Sequence, residues 1–110
     1  MIIDSSGVNV IITHQNEPIT DFVNEINGSY PKFKNDNIII NLSSLKAFSL
    51  DDMLQFLLIS NKHRVKKHSF VIVTNKFNFD LTPDELIIVP TMQEAQDIIE
   101  MEDIERDLGF

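Results

Sequence analysis

Asn37-Ile38-Ile39-Ile40-Asn41-Leu42 is an apolar stretch of strand length, followed by the short loop Ser43-Ser44-Leu45-Lys46-Ala47-Phe48. Residues 49–67 then read as a helix, and Phe70-Val71-Ile72-Val73 as a second apolar strand. Strand, helix and strand at these lengths make one βαβ unit, with parallel strands and a right-handed crossover. The helix start carries the most information. Ser49-Leu50-Asp51-Asp52 puts a hydroxyl at the N-cap and a carboxylate three residues later, the arrangement of a capping box. The loop and helix start after the first strand are therefore where a functional surface is expected.

Toward the N-terminus, Met1-Ile2-Ile3-Asp4 reads as a strand and Ser5-Ser6-Gly7 as a turn. Val8-Asn9-Val10-Ile11-Ile12-Thr13-His14 alternates as a second strand, so an antiparallel hairpin opens the chain. Pro18 suits the first turn of a helix, and Ile19, Phe22, Val23 and Ile26 fall at i, i+3, i+4 and i+7 on one face of it. Asn27-Gly28 is expected to stop that helix. Residues 30–37 are an irregular connection.

Toward the C-terminus, residues 74–84 form a loop longer than most, and Glu85-Leu86-Ile87-Ile88-Val89-Pro90 is a further strand, stopped by the proline. Thr91 caps a last helix, with Glu94 three residues on and Met92, Ala95, Ile98 and Ile99 on its inner face. Its end is crowded with acidic residues and is expected to fray. The order expected is β-β-α-β-α-β-α, with the last three strands joined by helices. That is an α/β fold, a small mixed, mostly parallel sheet of about four to five strands with helices packed against it. The near-continuous apolar runs 38–40, 71–73 and 87–89 suit strands buried on both faces.

The 110 residues support one domain over 1–110, and 43% hydrophobic content is enough to bury a core. A net charge of −8 argues against nucleic acid, whose phosphates need clustered Lys and Arg. The basic cluster Lys62-His63-Arg64-Val65-Lys66-Lys67 sits at the central helix's end, where cations complement the helix dipole. With no cysteine, disulfides, thiolate metal sites and cysteine nucleophiles are all excluded. No leader-like start or membrane-length apolar run is seen, so a cytoplasmic protein with no membrane contact is expected.

Catalytic constellations are missing. His14, His63 and His68 share no face at metal-ligand spacing, and the five-residue separation of the last two points them in different directions. Gly7, Gly28 and Gly109 are the only glycines, and none forms a phosphate loop. Asp51 and Asp52 are adjacent helical residues about 100° apart, suited to capping rather than to acid–base work. A receiver domain would need an aspartate ending its central strand, where this chain has Asn41-Leu42-Ser43. No nucleophile is placed beside a base, and neither a cofactor nor a metal is expected.

The central unit resembles the STAS domain of anti-sigma factor antagonists. In that family a strand ends in Asp-Leu-Ser, a short loop follows, and Asp-Ser-Ser-Gly opens the next helix. Asn41-Leu42-Ser43 matches the strand end, the loop to Ser49 has the family's length, and the later strands and final helix fall in step. The resemblance implies a regulatory interaction domain, with an anti-sigma factor kinase as one candidate partner. It also implies a phosphorylated serine at the helix start, and here the sequence departs from the family. The matching position is Leu50, which has no hydroxyl; Ser49 could take phosphate only with the register shifted by one. Asp51 and Asp52 already supply negative charge there, so the phosphoswitch reads as lost or altered. A literal Asp4-Ser5-Ser6-Gly7 lies in the hairpin turn, where Ser and Gly are favoured in any case.

With Leu50 at zero on a helical wheel, Met53, Leu54, Leu57, Leu58 and Val65 cluster as the expected core face. Phe56, at about 240°, and Ile59, at about 180°, then fall on the outer face with Asp52 and His63. Two large apolar residues there predict either a contact surface or burial beneath the 74–84 loop or a neighbouring helix. The expected partner-binding residues are Ser49, Leu50, Asp51, Asp52, Phe56, Ile59 and His63, with Ser49 the candidate phosphosite. The alternative is a small-ligand domain, taking a nucleotide or a lipid in a cavity near the Phe48 loop.

Overall fold

The two N-terminal strands, β1 (Ile2–Ser6) and β2 (Asn9–Thr13), pair antiparallel with Ser6 opposite Asn9, as expected. The computed structural model describes residues 1–109, with the backbone alone at Phe79. Gly7 turns the hairpin at φ +62°, a left-handed value that a side chain resists. Helix α1 (Ile19–Ser29) buries Ile19, Phe22, Val23 and Ile26, the face the spacing marks. It does not stop at Gly28. It runs on to Ser29 and tightens into a 3₁₀ turn, Tyr30–Lys32, that drives Tyr30 and Phe33 into the core.

Strand β3 (Asn37–Asn41) pairs parallel with β2 on one side and with β4 (Phe70–Val73) on the other. β5 (Ile87–Val89) adds in parallel to β4, giving five strands in chain order. One expectation fails here. No helix joins β4 to β5; the link is the long loop, with a 3₁₀ turn at Phe79–Leu81. Helix α4 (Met92–Asp107) then closes the chain behind the Thr91 cap, whose hydroxyl accepts from the Glu94 N–H at 3.2 Å.

Strand alternation divides the apolar residues between two layers. Ile38, Ile40, Phe70, Ile72 and Ile88 face α1 and the central helix, while Ile39, Val71, Val73, Ile87 and Val89 face α4. Both layers are dry, which is why these strands show no polar alternation.

The acidic end of α4 is pinned rather than frayed. Asn37 sits at its centre, accepting from the Ser69 N–H at 2.9 Å and donating to Asn9 Oδ1 at 3.1 Å. Ser69 donates to Glu102 Oε1 at 2.6 Å, and Arg106 donates to Ser69 Oγ at 3.0 Å while pairing with Asp103. These bonds fasten the last turns of α4 to the starts of β3 and β4. The crowding of like charge is offset by Arg106 and by Arg64, 3.6 Å from Glu102.

Candidate functional site

The strand-end loop begins at Asn41, whose Oδ1 accepts from the backbone N–H of Ser43 at 3.1 Å and its hydroxyl at 2.7 Å. This side-chain turn takes the chain out of β3. Ser44 bonds the carbonyl of His14 at 3.1 Å, tying the loop to the end of β2. Phe48 then anchors the loop, its ring 6.2 Å from Phe56 and 5.7 Å from Phe77. Ser49 follows in extended conformation as the N-cap of α2 (Leu50–Leu54). Both arms of the capping box are present: the Asp52 N–H donates to Ser49 Oγ at 3.1 Å, and the Ser49 N–H to Asp52 Oδ2 at 3.2 Å. Ser49, Leu50 and Asp51 are exposed at this corner, and Asp52 is half-buried.

The central helix departs from expectation. It breaks after Leu54 and resumes as α3 (Leu57–Val65); Met53 is buried and Leu57 half-buried as expected, but the residues assigned to the outside are buried with them. Phe56 is fully buried, Ile59 is 3% exposed and His63 is fully buried, so none of the three lies on a surface. Leu50, Leu54, Leu58 and Val65 are exposed instead, at 44%, 43%, 84% and 81%. Counting apolar residues around a wheel favours the side with more leucines. Packing chose the side whose shapes fit α1, namely Met53, Phe56, Ile59 and His63. Phe56 lodges edge-on to Phe22 at 6.2 Å, a contact no local pattern discloses.

His63 is buried because both ring nitrogens are bonded. The Asp36 carbonyl can only accept, so Nε2, 2.6 Å away, carries the proton. Nδ1 therefore accepts from the Tyr30 hydroxyl at 2.6 Å. Burial pushes the imidazole pKa down to about 4, against partial relief from the Asp36 carbonyl. His68 also departs from expectation: its ring lies 5.4 Å from that of His63. The helix ends at Val65 and Lys67 adopts φ +65°, which folds His68 back. With both His63 nitrogens engaged the pair cannot hold a metal, and among the described residues no group of three ligating side chains is placed to do so. Lys62 and Lys66 stand over the Tyr30 ring at 4.5 and 5.0 Å.

Two open clefts, of about 460 and 480 Å³, lie away from the helix start. Val8, Asn37, His68 and Arg106 line the first, at the opposite end of the strands; Ser6, Asn9 and Glu100 line the second, between β1–β2 and α4. No described helix is long and apolar enough to cross a membrane.

The fold built from these elements is that of STAS domains, the fold of anti-sigma factor antagonists. A serine-to-glutamate variant of RsbS from Moorella thermoacetica aligns with a TM-score of 0.68 over 96% of this chain and 97% of its own, at 12% identity. A component of the stressosome, described as a signal integration and transduction hub, aligns with a TM-score of 0.63 over 90% of this chain and 96% of its own, also at 12% identity. A Thermotoga maritima protein described as an anti-sigma factor antagonist gives 0.63 over 90% and 93%, at 15% identity. No protein-family profile and no curated protein sequence matches the chain.

Proposed function

We propose that this chain is a non-enzymatic regulatory domain that works by protein–protein contact, in the manner of the anti-sigma factor antagonists whose fold it shares. The contact runs through Ser49, Leu50, Asp51 and Asp52 and continues along the exposed leucines of α2 and α3. One observation carries this reading: four large apolar side chains stand open to water on the two helices that follow this corner. Phe56, Ile59 and His63 support the surface from beneath and do not belong to it. The partner is a regulatory protein, with an anti-sigma factor kinase as one candidate.

The switch of such a domain is altered here. Leu50 cannot be phosphorylated, and Asp51 and Asp52 give the helix start a standing negative charge. Ser49 is the one hydroxyl in reach, and phosphate there would dismantle the capping box and crowd two carboxylates. Binding of a nucleotide or lipid near the Phe48 loop gains no support, because Phe48, Phe56 and Phe77 fill that place with their own rings.

Mass spectrometry of the protein purified from its own cells, with co-purifying proteins identified, tests the reading. A kinase-like or other regulatory protein lost on Leu58→Asp substitution is expected. A chain that retains its companions after Leu58→Asp, or that has none, would sink it.

A further inference from the structure

We infer that the exposed ridge of α2 and α3 is self-complementary, and that two copies of this chain pair through it, antiparallel about a twofold axis. The inference rests on the reading that this face is a contact surface and names what covers it in the free protein. Leu50 and Leu54 are exposed on α2 and Leu58 and Val65 on α3, and together they form the ridge. Charge then sets the direction. Asp51 is exposed at the start of α2, one turn before Gln55, which meets Thr20 of α1, and Lys62 near the end of α3 stands over Tyr30 just after α1, so both lie on the α1 side of the ridge. Asp51 has no ion pair among the described residues, and Lys62 is exposed with its ammonium group against the Tyr30 ring.

A twofold axis passing near Phe56 and Leu57 reverses the helix and keeps flank against flank. Asp51 of each copy then meets Lys62 of the other, and Leu54 packs against Leu58. A parallel copy would set the two acidic ends side by side and the two basic ends likewise. An unrelated helix would need the same polarity at the same spacing, whereas a second copy carries it by construction. Four apolar side chains are a small patch against the roughly 800 Å² per partner of a standard interface, so the pairing is reversible. A regulatory partner that uses the helix start must displace the second copy.

Sedimentation equilibrium of the full chain over a concentration series tests this. The wild type is expected to pass from monomer to dimer, and Leu58→Asp to remain monomeric with an unchanged circular dichroism spectrum. Asp51→Lys or Lys62→Glu alone should weaken dimerisation by about tenfold, and the two together should restore it. If Leu58→Asp unfolds the chain, the charge-reversal pair decides alone. A wild type that stays monomeric overturns the proposal, as does a dimer indifferent to the charge reversals. A monomer that still captures a regulatory protein through this ridge would overturn the pairing and leave the regulatory reading standing.

Discussion

Tyr30 donates its hydroxyl proton to Nδ1 of His63 across 2.6 Å, joining the 3₁₀ turn after α1 to the last turn of α3 inside the core. Burial raises the Tyr30 pKa and lowers that of His63, so the bond joins two neutral groups. Removing the hydroxyl alone strands a buried acceptor. Tyr30→Phe is expected to cost about 2 kcal/mol in urea unfolding, more than an exposed substitution would.

The same pair makes stability depend on pH. Above about pH 6.5 His63 is neutral in both folded and unfolded chains, and its contribution is present in full. As pH falls from 6.5 toward 4, the unfolded chain takes up a proton that the folded ring refuses, and stability declines, by up to about 3 kcal/mol. Unfolding free energies at pH 7.5, 6 and 5 should show this fall. In His63→Gln the slope over that window should shrink, at lower overall stability.

The two sides of the central helix should answer oppositely to the same change. Phe56→Ala is expected to lose roughly 3–5 kcal/mol, because the ring fills space between Phe22 and Phe48. Leu58→Ala, at 84% exposure, should stay within about 0.5 kcal/mol of the wild type. Equal losses at both positions would contradict the observed orientation of α3.

Ser49 allows stability and regulation to be separated. Ser49→Ala removes the acceptor for the Asp52 N–H and should cost about 1 kcal/mol. Ser49→Asp keeps an N-cap acceptor but sets a third carboxylate beside Asp51 and Asp52, so it should lower the melting temperature by less than Ser49→Ala does. A loss of partner binding in Ser49→Asp alone would then report on charge at this corner.

Lys67 holds a left-handed backbone, φ +65°, where a side chain is strained. Lys67→Gly relieves that strain and is expected to raise the melting temperature, even though it removes a cation from a helix end. A fall would mean that the charge outweighs the backbone.

Much of the fold was legible because its signals are local. The runs 38–40 and 70–73 are too apolar and too short for anything but buried strands, and the Ser49–Asp52 and Thr91–Glu94 pairs mark helix starts within a few residues. What could not be read depended on distant partners. His63 looks like a surface histidine until Tyr30 and the Asp36 carbonyl arrive from another part of the chain. The leucines of α2 and α3 resemble a core face because a wheel counts residues and cannot weigh the shape of Phe22 opposite. Asn37 and Ser69 gave no hint that the acidic tail of α4 would be fastened to them.

The placement of α4 has a consequence for how the protein is born. Ile39, Val71, Val73 and Val89 are covered on one side by this last helix, through Ala95 and Ile99. Until residues 92–107 have left the ribosome, the nascent sheet shows a bare aliphatic face to the cell. Until α4 docks, the sheet therefore keeps one finished side and one adhesive side, the kind of half-domain that chaperones and proteases are built to notice.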